Sequence, residues 1–101
     1  MLQERFTQEE KAAIRENQRN SMETVLGDLP DEARPNARIV GKWLWVEFQG
    51  KPDSVVRDCL IMIGFRWNPA RYAWQHSCGN GRTRKAPYDP KEKYGEVAVE
   101  A

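Results

Sequence analysis

Apolar residues change their spacing several times along this chain, and each spacing predicts an element. Thr7-Gln8-Glu9-Glu10 has the form of a capping box, in which a threonine hydroxyl and a glutamate carboxylate satisfy free backbone N–H groups reciprocally, so a helix is predicted from Thr7. Its acidic first turn also suits the helix dipole. Ala13, Ile14, Met22, Val25, Leu26 and Leu29 keep helical spacing at the two ends, whereas residues 15–21 are polar throughout. An interruption is therefore expected around Asn20-Ser21, with Ser21 capping a second short turn through Leu26 and Gly27 closing it. Pro30 and Pro35 bracket a charged linker in which neither helix nor central strand continues.

Residues 38–48 carry the strongest strand signal. Read as one strand, they place Val40, Leu44, Val46 and Phe48 on one face and Ile39, Trp43 and Trp45 on the other. A strand that is apolar on both sides needs a cover on both sides. Gly50-Lys51-Pro52-Asp53-Ser54 then opens a second helix, with Pro52 in its first turn and Asp53 or Ser54 as cap. Val55, Val56, Cys59, Leu60, Met62 and Ile63 form its apolar stripe, and Gly64 ends it. Phe65-Arg66-Trp67 and Tyr72-Ala73-Trp74-Gln75-His76 read as an antiparallel hairpin about an Asn68-Pro69-Ala70-Arg71 turn, with Tyr72, Trp74 and His76 on one face. Residues 80–93 are expected to be extended loop, and residues 96–99 a short edge strand or a disordered tail.

These elements predict an α+β fold, an N-terminal helix plus a small strand–helix–hairpin (β-α-β-β) sheet. Residues 1–35 form the acidic helical segment and linker, 36–79 the core, and 80–101 an extended or partly disordered tail. Residues 38–78 amount to about 40 residues, too few for a sufficient core without help. That help would come from the N-terminal helix folded over the Trp43/Trp45 face, from the tail adding a strand, or from a second copy of the chain.

With 101 residues, 40% of them hydrophobic and 31% charged, the chain suits one globular domain rather than wholesale disorder. No run approaches the roughly 18 apolar residues of a membrane helix, and four glutamates within residues 1–20 argue against a signal peptide. A cytoplasmic location without membrane contact is therefore expected, with Cys59 and Cys78 as free thiols.

The net charge of +1 conceals a segregation. Residues 1–35 carry five bases against eight acids, residues 36–88 nine against three, and residues 89–101 two against four, giving −3, +6 and −2. A basic middle between acidic ends fits a phosphate-facing module. It fits better a self-neutralising fold in which the acidic helix lies on the basic sheet, since most charge asymmetries in small domains are solvated faces.

At Gly64-Phe65-Arg66-Trp67-Asn68-Pro69-Ala70-Arg71-Tyr72-Ala73-Trp74 the chain resembles a hairpin motif of small uncharacterised domains in phage, plasmid and other mobile-element proteins. In that motif a helix ends in Gly, and a hydrophobe, Arg, Trp, Asn or Asp, a short turn with Lys or Arg, and a second aromatic follow. The preceding Lys42-Trp43-Leu44-Trp45-Val46 strand and the Lys51-Pro52 helix start are similar as well, so the resemblance covers residues 42–78. It departs after Trp74, where Gln75-His76-Ser77-Cys78 replaces the usual further aromatic and proline. Such domains accompany primase, helicase or nuclease modules, so the resemblance implies a nucleic-acid setting and transfers no catalytic residue.

Trp43, Trp45, Trp67, Tyr72 and Trp74, interleaved with Lys42, Arg66 and Arg71, have the ingredients of a single-strand platform on which bases stack while cations hold phosphates. The same rings would serve equally as the core of a small fold. Arg66 and Arg71 flank the hairpin turn as phosphate contacts, or else stack on a tryptophan or pair with Asp58. Arg82-Thr83-Arg84-Lys85 reads as a basic arm or as a solubilising loop. His76 and Cys78 are zinc-ligand types, but only Cys59 stands as a further soft donor, so no metal site, cofactor or catalytic residue is assigned.

The sequence thus predicts a non-enzymatic nucleic-acid-binding accessory module of a prokaryotic mobile element. It would bind DNA or RNA through Lys42, Trp43, Trp45, Arg66 and Arg71, with Arg82, Arg84 and Lys85 assisting. The alternative is a protein-interaction module, a homodimer or a phage-type inhibitor docking on a host protein, with Trp43 and Trp45 buried in the interface.

Overall fold

The computed structural model describes residues 6–80 and 90–99. Arg82, Arg84 and Lys85, the proposed basic arm, lie outside the described residues.

Helix α1 (Gln8–Asn17) begins at the capping box. The Thr7 amide donates to Glu10 Oε1 at 2.8 Å, and Thr7 Oγ1 accepts from the Glu10 amide at 3.0 Å. Helix α2 (Met22–Asp28) starts at Ser21, whose hydroxyl accepts from the Thr24 amide. After a 3-10 turn (Arg34–Asn36) come strands β1 (Ala37–Val40) and β2 (Trp43–Val46), then helix α3 (Ser54–Met62). Strands β3 (Arg66–Asn68) and β4 (Ala73–His76) form the second hairpin. Helix α4 (Pro90–Tyr94) and strand β5 (Val97–Ala98) follow. The five strands make one antiparallel sheet in the order β3-β4-β2-β1-β5.

The fold is α+β, but the long strand expected over residues 38–48 is a hairpin. Gly41 and Lys42 form a two-residue turn between the paired residues Val40 and Trp43, and Gly41 takes φ 63°, the positive value such turns require at their first position. The turn reverses the alternation read across a single strand. Directly opposed residues share a face, so Ile39 joins Leu44 while Val40 joins Trp43. The Arg38–Cys78 unit is therefore β-β-α-β-β rather than β-α-β-β.

One face of the sheet carries Ala37, Leu44, Val46 and Trp74, and α1, α2 and α3 close over it with Ile14, Val25, Leu29, Val56, Leu60 and Ile61. The N-terminal segment thus builds this core, with Val25 and Ala33 fully buried, and does not lie over Trp43 and Trp45. The opposite face carries a smaller cluster of Val40, Trp45 and Ala73, with Trp43 half-buried against it. Its cover is the C-terminal segment. Lys91 Nζ sits 5.6 Å from the Trp45 ring centre and contacts both Glu47 carboxylate oxygens at 2.7 and 2.8 Å, with Glu96 at 3.4 Å. Arg38 also pairs with Glu96 at 3.8 Å. Burial pulls the Lys91 ammonium down, but the Glu47 and Glu96 carboxylates outweigh it and hold the group above its ordinary range.

Part of the expected loop is therefore helix. Pro90 takes the first helical position of α4, where a missing N–H is harmless. Residues 97–98 adopt the edge-strand alternative by pairing with Ile39 and Arg38. Among the described residues no helix is long and apolar enough to cross a membrane.

Candidate nucleic-acid interface

The second hairpin is shaped by its turn. Asn68 Oδ1 accepts from the Ala70 and Arg71 amides at 3.0 and 3.2 Å, while its Nδ2 donates to Gln75 at 3.0 Å. Tyr72 then takes φ 54°. Its ring stands edge-on to Trp67 at 5.2 Å, and Trp67 leans on Trp74 at 5.5 Å. Because β4 pairs with β2, placing Trp74 opposite Val46, this aromatic array lies on the helix side of the sheet.

There the chain leaves an open groove of about 460 Å³, walled by Trp67, Tyr72, Trp74 and Phe48 on the sheet side and by Lys51, Arg57 and Ile61 across from them. Trp74 is nearly buried, whereas Trp67 is 43% and Tyr72 67% exposed. The groove contains two cations and no carboxylate among its lining residues. Arg57 Nε is buried and has no hydrogen-bond partner among the described residues. None of the lining residues comes from the acidic N-terminal segment. Two of that segment's acids act on another flank of α3. After burial, Glu32 and Asp28 are what push the Cys59 thiol upward, and Cys59 stands two residues, or over half a turn, from Arg57.

The residues expected to act together are divided between the two sheet faces. Trp45 is 3% exposed beneath Lys91, so it offers no stacking surface in this arrangement. Lys42 is exposed in the β1–β2 turn, with its carbonyl accepting from Asn80 at 3.0 Å. Arg66 is exposed on edge strand β3 and donates to Gln18 Oε1 at 3.2 Å. Arg71 is half-buried within the hairpin turn. Trp67, Tyr72 and Trp74 from the same aromatic set do converge. Phe48, Lys51 and Arg57 join them unforeseen, because only the non-local β4–β2 pairing places α3 and the end of β2 beside the hairpin.

His76 has a structural task. Fully buried, it presents Nε2 to the carbonyls of Asn17 at 3.1 Å and Ile63 at 3.0 Å, and its Nδ1 accepts from the Cys78 amide at 2.9 Å. This fits a neutral ring with the proton on Nε2. Burial lowers its pKa, and the two carbonyls only partly offset that. With both nitrogens taken by backbone, no lone pair faces outward for a metal. Among the described residues no group of three His, Cys, Asp or Glu side chains gathers elsewhere.

Burial pushes the Cys78 thiol up to about 11, which leaves it protonated and a poor nucleophile. In the native protein at neutral pH, an aromatic disulfide reagent should modify the partly exposed Cys59 slowly and Cys78 only on unfolding. Equal rates for the two thiols would contradict this placement.

Comparison of the chain with protein-family models, with curated proteins and with solved structures finds no match.

Proposed function

We propose that the protein is a non-enzymatic nucleic-acid-binding accessory module, of the kind prokaryotic mobile elements carry, and that it contacts the strand through the hairpin groove. The supporting observation is the chemistry of that groove: partly exposed aromatic faces beside Lys51 and Arg57, with no acidic residue in the lining. Bases have π-faces and phosphates have charge, and a surface offering rings and cations together serves both. The residues that carry the mobile-element resemblance, 64–74, also supply Trp67, Tyr72 and Trp74, which adds to this reading. It moves the contact away from Trp43 and Trp45. The same rings would accommodate a protein partner, but Trp45 is already covered by its own chain, so a dimer is not needed to bury it.

Titration with single- and double-stranded DNA and RNA at two salt concentrations, followed by tryptophan fluorescence, tests the proposal. Binding should quench the signal and weaken as salt rises, with a log–log slope of about −1.4 to −1.8 if Lys51 and Arg57 each neutralise one phosphate. Absence of binding at low salt would reject the proposal. A mass in light scattering twice that of the monomer, with Trp67 protected from quencher, would favour the protein-interaction reading instead.

A further inference from the structure

We infer that the groove is a pocket for one unpaired nucleotide, anchored by Arg57, and that the module therefore selects single strands over duplexes. This rests on the nucleic-acid reading and specifies its ligand. At about 460 Å³ the groove lies toward the small end of ligand pockets, which run from about 300 to 1,000 Å³. One base with its sugar and phosphate suits that scale. A duplex cannot use it without disruption, because its base faces are already stacked on one another and only their edges reach the grooves.

The rings are arranged for a face. The edge-on contact with Tyr72 and the lean on Trp74 hold Trp67 in place, yet 43% of it still meets solvent. That leaves part of the Trp67 ring open to the groove. Trp74, nearly buried, is the floor, and Phe48 and Ile61 continue the apolar wall.

Arg57 supplies the charge. Its side chain lines the groove, and a phosphate bound there would meet a guanidinium with no carboxylate beside it in the lining. The planar guanidinium fork matches phosphate geometry, and Lys51 adds a second positive charge on the same wall. The contrast with the opposite face is chemical. There Lys91 is held between Glu47 and Glu96, so its charge is already answered by carboxylates. The groove side chains give ring faces and cations rather than an array matched to base edges, so recognition should tolerate sequence and follow strandedness.

The test compares the full chain with oligothymidylate, as single-strand probe, against a blunt duplex of equal length. Oligothymidylate should bind at least about tenfold more tightly than the duplex, and Trp67→Ala should weaken it by about tenfold, within the range of one lost stacking contact. Arg57→Gln should weaken it by a similar factor and flatten the salt slope by about 0.7. Arg57→Lys should restore only part of the affinity, since an ammonium lacks the fork. In the unmutated protein, the Arg57 Nε–H resonance should shift on adding oligothymidylate, a readout independent of whether any variant folds. Lys42→Gln and Trp43→Phe, on the other side, should leave affinity within about twofold. Equal duplex affinity, an unmoved Arg57 resonance, or loss of binding through the Lys42 and Trp43 variants alone would overturn the pocket while leaving the module a nucleic-acid binder. Failure of both probes at low salt would instead remove the functional reading beneath it.

Discussion

Replacing Gly64 with alanine should destabilise the protein by about 3 kcal/mol or more. Gly64 closes α3 in a Schellman arrangement: the Phe65 amide donates to Leu60 O at 2.9 Å and the Gly64 amide to Ile61 O at 3.0 Å. Its φ of 108° strains any L side chain. The space is also occupied. A Cβ would stand 2.7 Å from His76 Nε2 and 3.1 Å from backbone atoms of Asn17 and Gln18. None of these is the tip of a flexible side chain, so three segments would have to part. Urea unfolding should show the loss, and melting should fall by roughly 12 °C or more. A loss under about 1 kcal/mol would mean that this junction is looser than described.

Acid should act at the same junction. His76 is buried neutral, with a pKa below its unfolded value of about 6.5. The unfolded chain therefore binds the additional proton first. The stabilisation is fully present above pH 6.5 or so and declines below it by up to about 1.4 kcal/mol per pH unit, until the folded ring itself becomes protonated. Protonation at Nδ1 would set a donor against the Cys78 amide that now donates to it. Urea titrations between pH 7.5 and pH 5 should show the decline. His76→Gln should lower stability at neutral pH, because one amide group cannot replace both ring nitrogens, and should flatten the pH dependence. An unchanged slope in that variant would assign the acid sensitivity to other groups.

Several features written into neighbouring residues were legible in the sequence, though Gly27, expected to close α2, lies inside it and Asp53 makes no side-chain cap bond. The Thr7–Glu10 box, the Ser21 cap and the Gly64 terminus each depend on hydrogen bonds within one turn, and each occurs where the residue types place it. The β1–β2 hairpin was hidden because Gly41-Lys42 sits inside an apolar run with no proline or asparagine to mark a turn. The cost of missing it was a wrong assignment of faces, since two turn residues reset the alternation. The groove depends on contacts distant in sequence: Phe48, Arg57 and Trp67 meet only because β4 pairs beside β2. Likewise nothing near Trp45 indicates that Lys91 covers it. Composition singles out the aromatic and basic residues, but their spacing along the chain does not divide them between two sheet faces.

That covering of Trp45 sets a timetable for the nascent chain. β2 and its tryptophans leave the ribosome well before Lys91 and the Val97–Ala98 strand exist. At synthesis rates of about 5–20 residues per second, the interval lasts several seconds. Throughout it the hairpins can form by local contacts, while Trp45 lacks the cover that Lys91 later gives it. The late segment thus completes the cover of an apolar surface made early, and a chain lacking Lys91 would leave the Trp45 ring without that cation.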